Sequence, residues 1–150
     1  MTTVQIPQRM DFAAVAPKVF KAVLALDAAA RQGLDPVLLE LVQIRASQIN
    51  RCAYCVDYHT GDARRGGESE GRVYQLDAWQ ESSLYTAKER AALALTEAVT
   101  RLPDGVPDAV YDEAARHFEE QELAQLIALV FTVNTWNRMN VTTRKAPGTQ

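Results

Sequence analysis

The sequence lacks any long apolar run, any excess of positive charge and any low-complexity tract. Its longest apolar stretch, residues 126–133, is interrupted by Thr132 and is far shorter than the ~20 residues that a membrane-spanning helix needs. With 16 Lys and Arg against 19 Asp and Glu, the chain has a net charge of −3. It has no basic stripe that could neutralise nucleic-acid phosphates. These absences argue against a membrane span and against nucleic-acid binding.

The first residues show no secretory signal, because no basic segment is followed by an apolar one. We therefore expect a cytoplasmic protein. In that reducing compartment, two cysteines close in sequence are more often catalytic, redox-active or metal-binding than structural. The 150 residues contain no repeat or linker and suffice for one core, so a single domain is expected over residues 1–150.

Helix-start and helix-end signals divide most of the chain. Pro17 and the pair Asp35-Pro36 are typical of helix starts, and Gly66-Gly67 is typical of a helix end. Thr86 and Glu89 fit a capping box. Period-two alternation is weak everywhere, so no strand is indicated.

Three further helices follow from hydrophobic periodicity. We predict one from Ser69 through Trp79, one from Pro107 to about Phe118, and a long one from Glu122 to about Thr143. The last is apolar on most sides and should be the central buried element. The sequence therefore predicts an all-α fold.

The most informative segment is 52–59, Cys-Ala-Tyr-Cys-Val-Asp-Tyr-His, which contains both cysteines and one of the two histidines. Spacings of three and four residues place Cys52, Cys55 and His59 on one face of an α-helix. At that spacing the cysteine Cα atoms are about 5–6 Å apart, within reach of a disulfide. An imidazole one turn further on can exchange a proton with a thiol. The pattern predicts a thiol–disulfide redox centre.

The segment before the cysteines adds a candidate carboxylate. A thiol attacks only as its thiolate, and an ordinary cysteine with a pKa near 8.5 is mostly protonated at neutral pH. If the chain reverses at Asn50-Arg51, the cysteines lie at a helix start, where free N–H groups and the helix dipole favour an anion. The same reversal brings Glu40 back towards His59. The predicted proton route runs from Glu40 to His59 to Cys55, with Cys52 beside it.

These residues resemble a known family. Glu40, eleven residues and then Cys52-x-x-Cys55-x-x-x-His59 is similar to the core motif of the AhpD-like alkylhydroperoxidases, within the carboxymuconolactone decarboxylase superfamily. The likeness extends from about residue 11 to 144, with supporting segments at 48–55, 59–63, 77–79 and 134–138. It implies a helical fold with a helix-turn-helix redox core, a homo-oligomer (trimer or hexamer), and antioxidant reduction of hydroperoxides or disulfides.

The resemblance also implies roles for individual residues. Cys55 would attack, Cys52 would resolve the sulfenic acid to a disulfide, and Glu40 and His59 would relay protons. The implied partners are a hydroperoxide and a dithiol or disulfide-reductant protein, with no cofactor and no metal ion. Founding members carry a second histidine between the cysteines, where this sequence has Tyr54. A phenol with a pKa near 10 donates a hydrogen bond but is a poor base at pH 7, so Tyr54 is an auxiliary candidate.

Other interpretations of the motif remain open from the sequence. Zinc could be bound by Cys52, Cys55 and His59 with Glu40 or His117 as the fourth ligand, although three ligands within one helix are crowded. A lyase like the γ-carboxymuconolactone decarboxylases is a second alternative, but those enzymes lack the paired cysteines. A non-catalytic oligomeric scaffold, or simple burial of the cysteines, is a third.

Polar side chains interrupt the apolar surface of the terminal helix. Such groups need either buried hydrogen-bond partners or a subunit interface, and we favour the interface for these residues: Asn134, Asn137, Arg138 and Asn140. Trp136, in the same segment, is expected to be a core or interface aromatic, with a pocket-lining role as the alternative.

Overall fold

The fold is built from helices alone. The computed structural model describes residues 1–148 and contains, within that range, eight α-helices and no strand. The helices are α1 (Phe12–Val15), α2 (Pro17–Ala30), α3 (Pro36–Ile49), α4 (Ala53–Arg65), α5 (Glu70–Tyr74), α6 (Ala87–Thr100), α7 (Asp108–His117) and α8 (Glu120–Thr143). Short 3₁₀ segments lie at Leu76–Glu81 and Leu102–Asp104. The all-α prediction is confirmed. Over the described residues, no helix combines the length and the apolar character needed to cross a bilayer.

Helices α3 and α8 form the centre of the molecule. Helix α3 packs against α4, α6 and α8, and α8 also packs against α2 and α6. Both helices contribute side chains with no exposed surface, among them Val42 and Ile44 from α3 and Leu126 and Leu129 from α8. The prediction that the terminal helix is a central element is confirmed.

The local start and end signals act as the sequence indicates. Asp35 accepts hydrogen bonds from the first N–H groups of α3, and Thr86 and Glu89 form a reciprocal capping box at the start of α6. Helix α4 ends before Gly66, and Gly67 takes the left-handed conformation with φ +93°, as glycine does readily at a helix end.

The helix predicted from Ser69 through Trp79 is interrupted, so this prediction is wrong in part. Helix α5 stops at Tyr74, and the chain continues as a 3₁₀ segment with a kink at Ala78. The kink lets Asp77 reach Arg45 at 2.5 Å and lets the Trp79 indole N–H donate to Glu97 at 2.8 Å. Contacts with α3 and α6 therefore override the local helical pattern.

The polar residues of α8 find partners within the chain, which is the less favoured of the two alternatives open from the sequence. The Asn50 side-chain amide, at the end of α3, donates to the side-chain oxygens of Asn134 and Asn137, both at 2.8 Å. Asn137 in turn donates to Ser47 at 3.0 Å. Arg138 donates to the Asn134 side chain, and Asn140 lies at the redox site. This buried network fixes the end of α3, and hence the turn that precedes Cys52, against α8.

The pair Arg72–Glu89 ties α5 to the start of α6 and predicts a pH dependence of stability. Burial alone would raise the pKa of Glu89, but hydrogen bonds from Arg72 and from the Thr86 backbone outweigh it and lower this pKa below its ordinary value. A group with a lowered pKa stabilises the fold above its unfolded pKa, and that contribution is lost as the pH falls through the folded pKa.

We expect Glu89→Gln, which keeps an acceptor for the capping box, to lower the free energy of unfolding at pH 7 by about 1–2 kcal/mol. The deficit should shrink as acid protonates the wild-type carboxylate. Urea titrations of both proteins between pH 7 and pH 3 measure this. A deficit that stays constant over that range would contradict it.

Candidate redox site

The two cysteines lie at a chain reversal between α3 and α4. Helix α3 ends at Ile49, Arg51 takes a left-handed backbone conformation with φ +54°, and Cys52 is the N-cap of α4. The predicted reversal at Asn50-Arg51 is thus present, and α3 and α4 pack along each other. Cys52 precedes the first helical residue, whereas Cys55 and His59 lie within α4.

Cys52 and Cys55 are joined as a disulfide, with their Cα atoms 5.2 Å apart. The Cys52 sulfur accepts the backbone N–H of Cys55 at 3.2 Å, and the Asn140 side-chain amide lies 3.5 Å from the Cys55 sulfur. Both cysteines are almost completely buried. Each sulfur therefore faces an N–H donor that would stabilise a thiolate once the bond is reduced.

Glu40 and His59 form a buried pair beside the disulfide. A carboxylate oxygen of Glu40 lies 3.0 Å from His59 Nδ1, with the side chains 14% and 7% exposed. A carboxylate oxygen can only accept a hydrogen bond, so Nδ1 is the donor in this contact, and Nε2 is the ring nitrogen left to exchange a proton with another group. Glu40 is held on its other side by Arg31, whose guanidinium is 3.8 Å from the second carboxylate oxygen. The pairing predicted from the turn is present.

A pocket of about 180 Å³ opens beside Cys55 and His59. One wall is aromatic, with Phe20 and Trp136 in edge-to-face contact at 5.5 Å between ring centroids. The Trp136 indole N–H donates to Asp27 at 3.0 Å, and Asp27 also accepts from Arg31 at 2.6 Å. Of the two roles considered for Trp136, lining a pocket is the one that the structure shows.

Two tyrosines complete the wall formed by α4. Burial and the Asp62 carboxylate raise the pKa of Tyr58 above its ordinary value, so its phenol is protonated at neutral pH and can donate a hydrogen bond. The Tyr54 ring lies 6.1 Å from that of Tyr58, and the Lys145 ammonium lies 4.4 Å from the centre of the Tyr54 ring. Tyr54 therefore stands next to the redox site, as its place between the cysteines requires.

The zinc site considered from the sequence is not assembled. Among the described residues, one group of three His, Cys, Asp or Glu side chains has its ligand atoms within 4.8 Å of one another, and it contains Glu40, His59 and Asp62 but neither cysteine. His117 lies on α7, where it is paired with Glu113 at 3.0 Å. In this oxidised state the two sulfurs are bonded to each other, so neither is available as a thiolate ligand for a metal ion.

Three residues of the site were missed as such from the sequence: Arg31, Asp27 and Asn140. Asp27, in the last turn of α2, and Arg31, which directly follows this helix, are four residues apart and pair with each other, a spacing equally typical of an exposed ion pair. Asn140 was noted as a polar residue on an apolar helix. Its contact with Cys55, 85 residues earlier in the chain, has no local signal.

The comparison with protein families agrees with this geometry. Residues 17–98 match the family described as "Carboxymuconolactone decarboxylase family". The chain belongs to this family. The matched range includes Glu40, both cysteines and His59, and therefore all four residues of the sequence motif.

Individual relatives of this carboxymuconolactone decarboxylase family member extend the likeness. The uncharacterized protein YdfG of Bacillus subtilis is 38% identical over 136 residues, which cover 89% of this chain and 92% of YdfG. The uncharacterized protein YnjA of Escherichia coli is 34% identical over 110 residues, which cover 73% of this chain and 60% of YnjA.

A solved structure is similar over nearly the whole chain. It is a protein of unknown function from Agrobacterium tumefaciens, provisionally named as the antioxidant defence protein AhpD. Its sequence is 35% identical, its TM-score is 0.92, and the match covers 96% of this chain and all of that one. The fold is thus AhpD-like, and the superfamily is one of enzymes.

Proposed function

We propose that the protein is a thiol peroxidase that reduces organic hydroperoxides through the Cys52–Cys55 pair in the cytoplasm. The observation that supports it best is that Cys55, of the two cysteines, lines the pocket that His59 also lines. Cys55 and His59 line one pocket, and the Glu40 carboxylate holds His59 Nδ1 at 3.0 Å. A nucleophile, an oriented base and a space for the reacting atom are therefore close together.

The oxidative half of the proposed cycle begins with the dithiol form. The Cys55 thiol gives its proton to His59 Nε2, and the thiolate attacks the terminal peroxide oxygen. The O–O bond breaks, Cys55 becomes a sulfenic acid, and the departing alkoxide takes the proton back from His59 and leaves as an alcohol. The Cys52 thiol then attacks the sulfenic sulfur, so that water is released and the disulfide forms. A thiol reductant restores the dithiol.

The residues around this path have matching roles. Glu40 keeps His59 in the tautomer that accepts at Nε2, and the Asn140 amide stabilises negative charge on the Cys55 sulfur. The Tyr58 phenol is available to donate to a peroxide oxygen. Phe20 and Trp136 offer an apolar aromatic wall, which favours an organic substituent on the peroxide.

A thiol titration tests the proposal directly. The fully reduced protein should show two free thiols per chain, and one equivalent of cumene hydroperoxide should remove both and yield one equivalent of cumyl alcohol. Peptide mapping should find a Cys52–Cys55 bond. Metal analysis on the same sample serves as the control for the zinc alternative. Thiols that persist while the peroxide is untouched would overturn the proposal in favour of a lyase or a scaffold.

We also propose that the chain forms a homo-oligomer, a trimer or a hexamer. The asparagines of α8 no longer support this, because their partners are internal. Support comes instead from apolar side chains that remain exposed on two packed helices, Val19 and Leu26 on α2 and Phe131 on α8. Sedimentation at micromolar concentration should show one closed species of three or six chains. A monomer under those conditions would contradict this.

A further inference from the structure

The two cysteines of the disulfide line different concavities. Cys55 lines the 180 Å³ pocket with His59, whereas Cys52 does not. Cys52 lines a neighbouring groove of about 460 Å³, between the N-terminal segment, the start of α4 and the end of α8, and Cys55 does not line it. Pocket and groove adjoin, since Tyr54, Asn140 and Lys145 line both. A peroxide in the pocket and a reductant in the groove would therefore approach opposite ends of the same S–S bond.

The groove on the Cys52 side is positively charged, although the chain as a whole carries a net charge of −3. Arg51, Arg144 and Lys145 line it, and none of the described residues that line it is Asp or Glu. In the described part of the chain, the side chains of Arg51 and Arg144 form no ion pair. The Lys145 ammonium also forms no ion pair there, and it lies over the face of the Tyr54 ring. Val4, Ile6 and Val141 add an apolar wall.

The backbone at the two arginines is unusual. Within residues 1–148, Arg51 and Arg144 are the non-glycine residues with positive φ, at +54° and +55°. Both follow the end of a helix, where glycine fits without steric cost and a residue with a Cβ is disfavoured by about 1 kcal/mol. Strained positions of this kind concentrate at functional sites. Both positions are occupied by arginine, so each adds a positive charge to the groove although its backbone conformation is unfavourable.

We propose that this groove binds an anionic low-molecular-weight thiol, which reduces the disulfide by attacking Cys52. The proposal rests on the redox cycle proposed above and names its reductant. Three cations suit a thiol that carries carboxylate, sulfonate or phosphate groups. The groove has the size of a small-molecule site, and Cys52 is only 1% exposed. A small thiol can reach so buried a sulfur more easily than the protein reductant that was expected from the sequence.

The reduction balances with two equivalents of thiol. The thiolate of the first attacks the Cys52 sulfur, so that a mixed disulfide forms and Cys55 leaves as a thiolate. The Asn140 amide and the nearby start of α4 stabilise this leaving group, which speeds its departure. The second thiolate attacks the outer sulfur of the mixed disulfide and releases Cys52 as a thiolate. The products are the enzyme dithiol and one small-molecule disulfide.

The test compares two thiols of the same skeleton, 2-mercaptoethanesulfonate and neutral 2-mercaptoethanol. Rate constants for reduction of the oxidised protein, expressed per thiolate, are measured by acid quench and thiol counting. We expect the sulfonate to react about 10-fold faster at low ionic strength, and this advantage to fall as salt screens the groove. Without the groove, the net negative charge would make the sulfonate the slower of the two.

The double variant Arg51→Gly/Arg144→Gly should bring the ratio of the two rate constants to about 1 or below, since glycine removes the charge and accepts the positive φ. Lys18→Ala/Lys21→Ala removes the same charge from exposed positions outside the groove and should leave the ratio unchanged. Mass spectrometry of the quenched wild-type reaction should locate the mixed disulfide on Cys52.

Several results of these experiments would overturn the proposal of an anionic thiol in the groove. A wild-type ratio of 1, an unchanged ratio in the glycine double variant, or a mixed disulfide on Cys55 would each contradict it. Much faster reduction by reduced thioredoxin, equal in the wild type and in the double variant, would favour a protein reductant at another surface. Failure of peroxide to re-form the disulfide would count against the peroxidase cycle alone, because the rate ratio is measured on reduction.

Discussion

Cys55→Ser is expected to reduce hydroperoxide turnover by roughly 10³-fold or more, because a serine hydroxyl is not ionised at neutral pH and cannot form a sulfenic acid. Cys55 lines the pocket with His59, and in the proposed cycle it is the group that attacks the peroxide. Coupled peroxide consumption with dithiothreitol as reductant measures the loss. A thermal melt of the reduced proteins is the control for folding, since serine is close to cysteine in size.

Cys52→Ser should fail differently, because the attacking thiol remains. One equivalent of peroxide should convert Cys55 to a sulfenic acid that persists and can be trapped with dimedone, and excess peroxide should carry it on to the sulfinic acid. Mass spectrometry distinguishes these additions of oxygen from disulfide formation. A Cys52→Ser protein that turns over at the wild-type rate with dithiothreitol would show that the two cysteines have been assigned the wrong roles.

The parts of the fold that follow local rules could be predicted from the sequence. Asp35 before Pro36 and Thr86 before Glu89 satisfy backbone N–H groups within three residues, so the starts of α3 and α6 need no knowledge of the rest of the chain. The kink at Ala78 could not be predicted in this way. It depends on Asp77 reaching Arg45 in α3 and on Trp79 reaching Glu97 in α6.

The residues of the candidate site also fall into two groups, those that local sequence rules place and those that depend on how distant helices pack. Cys52, Cys55 and His59 are related by helical spacing, and Glu40 is brought to His59 by one turn between two adjacent helices, so the motif suffices to place all four. Arg31 and Asn140 reach the site from α2 and α8, and their contacts with Glu40 and Cys55 depend on how three helices pack. A single sequence contains no periodic signal for contacts of that range.

The proton relay makes a prediction that tests both the fold and the mechanism. In the proposed relay, Glu40 fixes His59 so that Nε2 accepts the Cys55 proton, and replacing the carboxylate by an amide would remove the charge that stabilises the imidazolium. The Cys52→Ser variant leaves Cys55 as its one thiol, so alkylation by iodoacetamide measures the reactivity of Cys55 alone. In this variant, Glu40→Gln should slow alkylation at pH 7 by about 10-fold. The pH profile of the reaction should move to higher pH, with little change in stability.

His59→Ala should have the larger effect, because it removes the base itself. The double variant with Glu40→Gln should be scarcely slower than His59→Ala alone, since both side chains act on one proton route and their effects are not additive. Non-additivity is the informative result here. Two independent contributions would multiply, and a multiplied effect would mean that Glu40 acts on Cys55 by some path other than His59.

The chain supplies a matched control for this experiment. Glu113 and His117 on α7 form a second carboxylate–imidazole pair with the same 3.0 Å separation as Glu40 and His59, but away from the cysteines. Glu113→Gln should leave the alkylation profile unmoved. If Glu40→Gln leaves it equally unmoved, Glu40 is an ordinary helix glutamate. Activation of Cys55 would then depend on His59, on the Asn140 amide and on the N-terminal end of α4.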